Sequence, residues 1–256
     1  TSRPRLDMRT PLFLLNLTGL LCLTMTRPVH AEADATFNKA NADYAAGHFP
    51  DAIVGYESLV KNRQWNPVLF YDLGNAYYRI GDFGRAILNY ERALALDPAQ
   101  PEARANLQLA RDQARAIELV PGWTEIHLDF LTRDQCAWLA AVAFWGAAAI
   151  LVGLYFAQRR AVVWIFALVL LGTISAGATF VVYQLETGSA GRDLAIVTKK
   201  NIQARLATAE SAGTVLLLPP GSEVKILSTR GDWCYAALPN DLRGWIPAQS
   251  IERVRL

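Results

Sequence analysis

Side chains that could carry out acid–base or nucleophilic catalysis are few and widely separated in this sequence. His48 and His127 lie far apart, and Cys136 and Cys234 have no neighbours at the spacing of metal ligands. No serine or cysteine lies at a recognisable spacing from a general base, and no glycine-rich loop is present to hold a phosphate. The sequence therefore predicts a protein that is not an enzyme and that uses no metal or cofactor.

Amide and aromatic side chains that recur at a fixed interval favour molecular recognition instead. Asn41 and Asn75 open two similar segments, NADYAAGHFPDAIVGYESLV and NAYYRIGDFGRAILNYERAL, which are identical at nine positions. The offset from Asn41 to Asn75, which we call the repeat interval, is typical of helix–turn–helix repeats that stack side by side. Because amides both donate and accept hydrogen bonds, the two asparagines are candidates for contacts with an extended backbone.

The second segment, extended to residues 67–100, resembles the tetratricopeptide (TPR) repeat family. Ten positions carry the residue type that the family pattern needs, namely Phe70, Leu73, Gly74, Tyr77, Gly81, Phe83, Ala86, Tyr90, Ala93 and Pro98. The resemblance implies an atypical first repeat over residues 33–66 and a closing helix over residues 101–118. Together they predict an all-α domain over residues 32–120.

In TPR proteins the first helix of each repeat lines a concave surface that binds peptides or partner domains. The resemblance places seven residues of this chain there: Phe37, Asn41, Tyr44, Tyr71, Asn75, Tyr78 and Arg79. Phe37 stands where repeats that clamp a terminal carboxylate have a lysine, which argues against that particular clamp. The alternative for Tyr71 and Tyr78 is that they only pack against neighbouring helices.

Two uncharged apolar runs predict transmembrane helices over residues 137–156 and 161–183. About 20 residues at ~1.5 Å each cross a hydrocarbon core of ~30 Å, and the alternative is a pair of buried core helices. The turn over residues 157–160 contains Arg159 and Arg160. Because basic residues in short loops stay in the cytoplasm, the arginine pair predicts that the segments on both sides of the hairpin face the periplasm.

The amino-terminal region predicts export of the segment that follows it. Residues 1–31 contain an apolar stretch and end in a small-x-small cleavage site at Val29, His30 and Ala31. We interpret them as a signal peptide with a few upstream residues. This agrees with the hairpin and predicts a bacterial inner-membrane protein with two periplasmic domains. A net charge of +2 without a basic patch argues against nucleic acid as a partner.

Residues 193–256 contain short strand-like runs separated by turns and predict a small all-β barrel. The runs around Trp233 and Trp245 resemble two landmarks of bacterial SH3-like domains. That resemblance makes Trp233 and Pro247 candidates for a ligand surface. The alternative is that Trp245 and Val224 are core residues and that Trp233 only shields them from water.

The parts together predict a multidomain membrane protein: signal peptide, TPR repeats, transmembrane hairpin and SH3-like barrel, with linkers over residues 121–136 and 184–192. This order resembles the BatE family of the Bacteroides aerotolerance (Bat) group. The resemblance implies a scaffold that works beside membrane-anchored von Willebrand factor A-domain proteins in envelope stress tolerance. Membrane lipid is then a second partner. The alternative function is an envelope anchor that binds peptidoglycan through the SH3-like domain.

Overall fold

The computed structural model of the chain describes residues 27–121, 133–157, 162–188 and 191–256. Most of the predicted signal peptide, together with Arg159 and Arg160, lies outside these residues. Five helices form a helical module: α1 Arg27–Ala45, α2 Phe49–Lys61, α3 Pro67–Arg79, α4 Phe83–Leu96 and α5 Pro101–Ala114. Two long apolar helices follow, α6 Arg133–Ala157 and α7 Val162–Thr187, and then a strand domain over residues 191–256.

Local sequence signals account for the start of the helices of the second repeat. Asn66 caps α3, because its side-chain oxygen accepts a hydrogen bond from the Leu69 amide at 2.7 Å. Asp82 caps α4 in the same way, through the Arg85 amide at 3.2 Å. Between the two helices of this repeat the chain turns at Gly81, whose φ of 77° suits glycine. These signals give the helix–turn–helix unit that the repeat pattern predicts.

The closing helix is shorter than predicted, because α5 ends at Ala114 rather than at residue 118. Arg115 follows it with φ 52° and ψ 40°, a left-handed conformation that ends the helix. The chain then turns toward the strand domain, where the Ile117 amide bonds the Ser222 hydroxyl oxygen at 3.1 Å. The Ile117 carbonyl accepts a hydrogen bond from the Glu223 amide at 2.9 Å. Pairing with the strand domain therefore replaces the last helical turn.

Helices α6 and α7 are long and apolar enough to span a membrane. They lie antiparallel, and the Ser175 hydroxyl donates to the Ala140 carbonyl at 3.0 Å. Only 6% of the most apolar window of each helix is buried, which contradicts the alternative that they are core helices of a soluble domain. Helix α7 continues to Thr187, four residues past the predicted end at residue 183 and into the predicted linker over residues 184–192.

The strand domain is one antiparallel sheet in the order β3-β2-β6-β5-β4-β1-β7. Its strands are β1 Leu194–Val197, β2 Ile202–Arg205, β3 Thr214–Leu218, β4 Glu223–Arg230, β5 Trp233–Ala237, β6 Arg243–Pro247 and β7 Ile251–Arg253. The last strand-like run of the sequence is divided by a 3-10 turn at Ala248–Ser250 into β6 and β7. Alternate residues such as Ala204, Val224 and Ile246 form the buried interior of the sheet.

Strand β1 joins the helical module to the strand domain. All four of its residues are buried. Ala195 and Val197 belong to the interior of the sheet, whereas Leu194 and Ile196 belong to the core of the helical module. A strand that is covered on both faces reads as a continuous apolar run, which is what LAIV is. The two globular parts are therefore packed against each other.

Close backbone approach and ion pairs complete this interface. A Cβ atom on Gly84 of α4 would lie 2.9 Å from the Thr198 carbonyl oxygen, so only glycine fits there. Arg92 of α4 donates to the Arg253 carbonyl at 2.9 Å and lies 3.6 Å from the Glu252 carboxylate. These contacts connect α4 to both ends of the strand domain, since β1 begins it and β7 ends it.

A buried ion network lies at the centre of the interface. The Arg111 guanidinium on α5 bonds the Glu91 carboxylate of α4 at 2.6 Å and the Glu223 carboxylate of β4. It also lies 3.3 Å from Glu118, and the Leu119 amide donates to Glu223 at 3.0 Å. Burial raises the pKa of Glu91 to about 7 and also raises the pKa of Glu223, although Arg111 opposes both shifts.

Candidate protein-binding groove

The helical module contains the same hydrogen bond twice, one repeat interval apart, between α1 and α2 and between α3 and α4. The Tyr56 hydroxyl donates to the Asn41 side-chain oxygen at 2.6 Å. Its equivalent, the Tyr90 hydroxyl, donates to the Asn75 side-chain oxygen at 2.8 Å. Burial raises the pKa of both tyrosines, so both remain protonated donors. Each predicted amide is therefore fixed by a tyrosine of the following helix.

The four predicted aromatic side chains also follow the repeat. Phe37 lies 5.9 Å from the ring of Tyr56, and its equivalent Tyr71 lies 6.1 Å from the ring of Tyr90. Tyr44 and Tyr78 each contact a phenylalanine of the next helix, Phe49 and Phe83, at 5.3 and 5.4 Å. All four rings are only half-buried. They pack, as the alternative supposed, and still present surface to a ligand.

Asn106 of α5 extends the row of amides. Its nitrogen donates to the Asn75 oxygen at 2.9 Å and to the Tyr71 hydroxyl at 3.3 Å. The Asn75 oxygen thus receives two hydrogen bonds. Among the described residues, its amide nitrogen donates none, so this nitrogen is available to a carbonyl of a bound chain. Asn75 can consequently contact a bound backbone as a hydrogen-bond donor, whereas its oxygen is already occupied by Tyr90 and Asn106.

Arg79 lies at the end of α3 and is exposed. Its guanidinium carbon is 4.5 Å from the ring centre of Phe49, a cation–π contact that joins the second repeat to the first. Arg79 therefore contacts another part of the protein. The resemblance places it among the residues that bind a partner.

Asp72 is a groove residue that the sequence did not single out. It lies half-buried on α3, close enough to Tyr56 to raise the pKa of that hydroxyl. Burial raises the pKa of the Asp72 carboxyl to about 6. Asp72 lies one repeat interval before Asn106, so the two residues occupy equivalent positions. The contacts of Asn106 therefore indicate that Asp72 is a groove residue. We refer to the rings of Phe37, Tyr44, Tyr71 and Tyr78, the amides of Asn41 and Asn75, and Asp72 as the groove.

The strand domain carries a second candidate surface along β5 and β6. Trp233 is directly opposite Pro247, and Tyr235 is directly opposite Trp245 with ring centres 5.1 Å apart. All four side chains are half-buried and share one face of the sheet. The alternative that Trp245 is a core residue is therefore wrong, whereas Val224 is fully buried, as that alternative supposed. Alternation explains this, since Trp245 points away from Ile246.

Within the described ranges, no group of three or more histidine, cysteine, aspartate or glutamate side chains could hold a metal ion. Asp72, Glu91 and Glu223 are the carboxyls with raised pKa values there. Asp72 stands alone on α3, whereas Glu91 and Glu223 share Arg111 in the ion network of the interface.

Comparison with known protein families supports the helical assignment. The family model of the TPR repeat matches residues 74–110, which cover the end of α3, all of α4 and most of α5. A comparison with curated proteins finds no match. The matched segment includes Asn75, Tyr78, Tyr90 and Asn106, so part of the groove belongs to a recognised TPR repeat, and TPR repeats mediate contacts between proteins.

Proposed function

We propose that this protein is a non-catalytic membrane scaffold that holds a partner protein in the groove of its TPR repeats. The repeated Asn–Tyr hydrogen bond carries the proposal. It keeps Asn41 and Asn75 in one orientation, with half-buried rings beside them. A surface with rigid rings and fixed polar groups can bind without losing much conformational freedom.

The finer assignment follows from the order of the parts. TPR repeats, two apolar helices and an antiparallel strand domain are arranged as in the BatE family of the Bat group, with the strand domain in the role of the SH3-like barrel. We infer from this resemblance that the partner is a membrane-anchored von Willebrand factor A-domain protein and that the complex acts in envelope stress tolerance. The apolar helices contact membrane lipid in this proposal.

We also propose that both globular parts face the periplasm from the bacterial inner membrane. The interface supports placing them on the same side, because β1 lies between their two cores while α6 and α7 come between them in the sequence. Two membrane crossings, by α6 and α7, return the chain to the side from which it entered, so both globular parts lie on the same side. The signal peptide predicted over residues 1–31 and the arginine pair predict which side it is.

Cysteine labelling tests this orientation. In a cysteine-free chain, Arg104→Cys of α5 and Arg230→Cys of β4 are expected to react with a membrane-impermeant maleimide in intact spheroplasts. Gln158→Cys, in the predicted turn, is expected to react only after the membrane is opened. Labelling of Gln158→Cys in intact spheroplasts, or protection of Arg104→Cys or Arg230→Cys, would contradict the orientation.

Copurification from solubilised membranes tests partner binding. Asn75→Ala combined with Tyr78→Ala removes one amide and one ring from the groove, together with the hydrogen bonds that Asn75 accepts from Tyr90 and Asn106. We expect loss of the copurifying partner by at least tenfold. The variant should still insert in the membrane. Trp233→Ala is the matched control, because it removes a half-buried ring from the other surface. A partner that is retained by the groove variant and lost by Trp233→Ala would reverse the roles of the two surfaces.

The second candidate function is an envelope anchor that binds peptidoglycan. The four side chains on β5 and β6 favour it, because aromatic rings on one face of a sheet can stack on sugars or peptides. Sedimentation of the protein with purified peptidoglycan distinguishes this function from the first. Binding that Trp233→Ala abolishes and that the groove variant retains would support it.

A further inference from the structure

The groove contains one carboxylate for which the described residues supply no cation. The carboxylate of Asp72 forms no hydrogen bond and no ion pair with any residue in the described part of the chain. Tyr44 and Asp43 of α1 lie close enough to raise the pKa of the Tyr56 hydroxyl together with Asp72. Neither of them is positively charged. The arginine at the end of the same helix, Arg79, has its guanidinium over the Phe49 ring.

The repeat equivalent of Asp72 shows what this position does when it has a partner. Asn106 donates from its amide nitrogen to the Asn75 oxygen and so ties the closing helix to the second repeat. An ionised aspartate has no hydrogen to donate. Asp72 therefore does not form the corresponding bond to Asn41, whose oxygen is bound by Tyr56. Asparagine could make that bond, so the aspartate gives the groove a negative charge that the hydrogen bonds between the repeats do not require.

We propose that the groove recognises a lysine or arginine side chain of the partner, which forms an ion pair with Asp72 beside the rings of Phe37 and Tyr44. This inference rests on the proposed function and names the partner's chemistry. Phe37 and Tyr44 both lie on α1, on either side of Asn41, and their half-buried rings can hold a cation by cation–π attraction. The partial burial that raises the pKa of Asp72 also strengthens an ion pair made there.

The occupant to which these groups point is a segment of a protein rather than a free small cation. The amide nitrogen of Asn75 is available to a backbone carbonyl, and it lies one helical turn after Asp72 on the same helix. An extended chain can therefore place a backbone carbonyl at Asn75 and a basic side chain at Asp72. A free amine would use only the second of these contacts.

Peptide selection on the full-length protein, purified in detergent, tests the inference. The probe is a set of short peptides of equal length and otherwise identical randomised sequence whose central residue is lysine, arginine, glutamine or glutamate. The wild type is expected to retain the lysine and arginine sets at least tenfold better than the glutamine set. Asp72→Asn should remove this preference, and Asp72→Lys should reverse it in favour of glutamate.

Stability measurements separate loss of recognition from loss of folding. Asp72→Asn is expected to melt no lower than the wild type, since its amide can donate to Asn41 as Asn106 does to Asn75. Retention of all four peptide sets to the same extent, with loss in the Asn75→Ala and Tyr78→Ala variant, would overturn the inference and leave the proposed function in place. Peptide retention that this double variant does not change would overturn the proposed function itself.

Discussion

Replacing Arg111 with methionine is expected to lower the free energy of unfolding by about 3–5 kcal/mol, the cost of removing one partner from a buried ion pair. Arg111 bonds Glu91 and Glu223, and all three side chains are largely buried. Methionine has a similar length and keeps the packing, but it leaves two carboxylates without a cation. Denaturant unfolding of the detergent-solubilised chain measures the change, and protease sensitivity of residues 115–121 reports whether the strand domain has separated.

The pH dependence of this effect follows from the raised pKa values. Burial raises the pKa of Glu91 from its usual value of 4.5 to about 7, and raises that of Glu223. Because the folded state binds these protons more tightly, its stability falls as the pH rises through the interval from 4.5 to 7. Arg111 stabilises these carboxyl groups only when they are ionised. The difference in the free energy of unfolding between the wild type and Arg111→Met should therefore be larger at pH 8 than at pH 5.

Arg104→Met is the matched control for this substitution, because it removes an exposed arginine from the same helix. Its only described hydrogen bond is to the Pro98 carbonyl at 2.9 Å. Exposed polar contacts of this kind contribute less than about 1 kcal/mol. Equal effects of the two substitutions would show that the Arg111 network does not hold the interface together.

The repeats could be predicted from the sequence because their signals are local. Gly81 and the residues around it specify a turn and two helices within a single repeat, and the same signals recur one repeat interval away. The two apolar helices could also be predicted, from the length and composition of their uncharged runs. Both kinds of element satisfy their backbone hydrogen bonds internally, so their presence does not depend on residues far away in the sequence.

The interface could not be predicted, because it joins residues that lie far apart in the sequence. Arg111 and Glu223 are ordinary charged residues in their own segments, and only the folded chain brings them together. The run LAIV of β1 did contain a signal, since four consecutive apolar residues in a short strand indicate burial on both faces. The run itself does not indicate which part of the protein covers the second face. The shorter closing helix has the same origin, since Ile117 pairs with the strand domain.

The groove was predictable in part. Family resemblance placed Asn41 and Asn75 on the first helices, and the structure describes both with a tyrosine bonded to the oxygen. The resemblance did not predict that bond, because it depends on where Tyr56 and Tyr90 meet the preceding helix. Asp72 was missed because it is not one of the ten positions that carry the repeat pattern in this sequence. The roles of the candidate residues in binding stay predictions until the variants described above are tested.

Gly74→Leu is expected to destabilise the protein by about 1–3 kcal/mol, the usual cost of overpacking. Even a Cβ atom at this position would lie 2.7 Å from Cε1 of Tyr90. The Tyr90 side chain is only 1% exposed, so its ring has no room to move outward. Moving it would also break the hydrogen bond of its hydroxyl with Asn75, worth about 1 kcal/mol.

The consequence reaches the groove, because Tyr90 fixes Asn75 and Asn75 accepts from Asn106. We therefore expect Gly74→Leu to weaken partner copurification as well as stability, even at temperatures where the protein remains folded. Ala95→Leu adds the same side chain to an exposed site on α4 and should change neither property. If Gly74→Leu unfolds at the same denaturant concentration as Ala95→Leu, then α3 and α4 do not pack through Gly74, and the alignment of the two repeats is wrong.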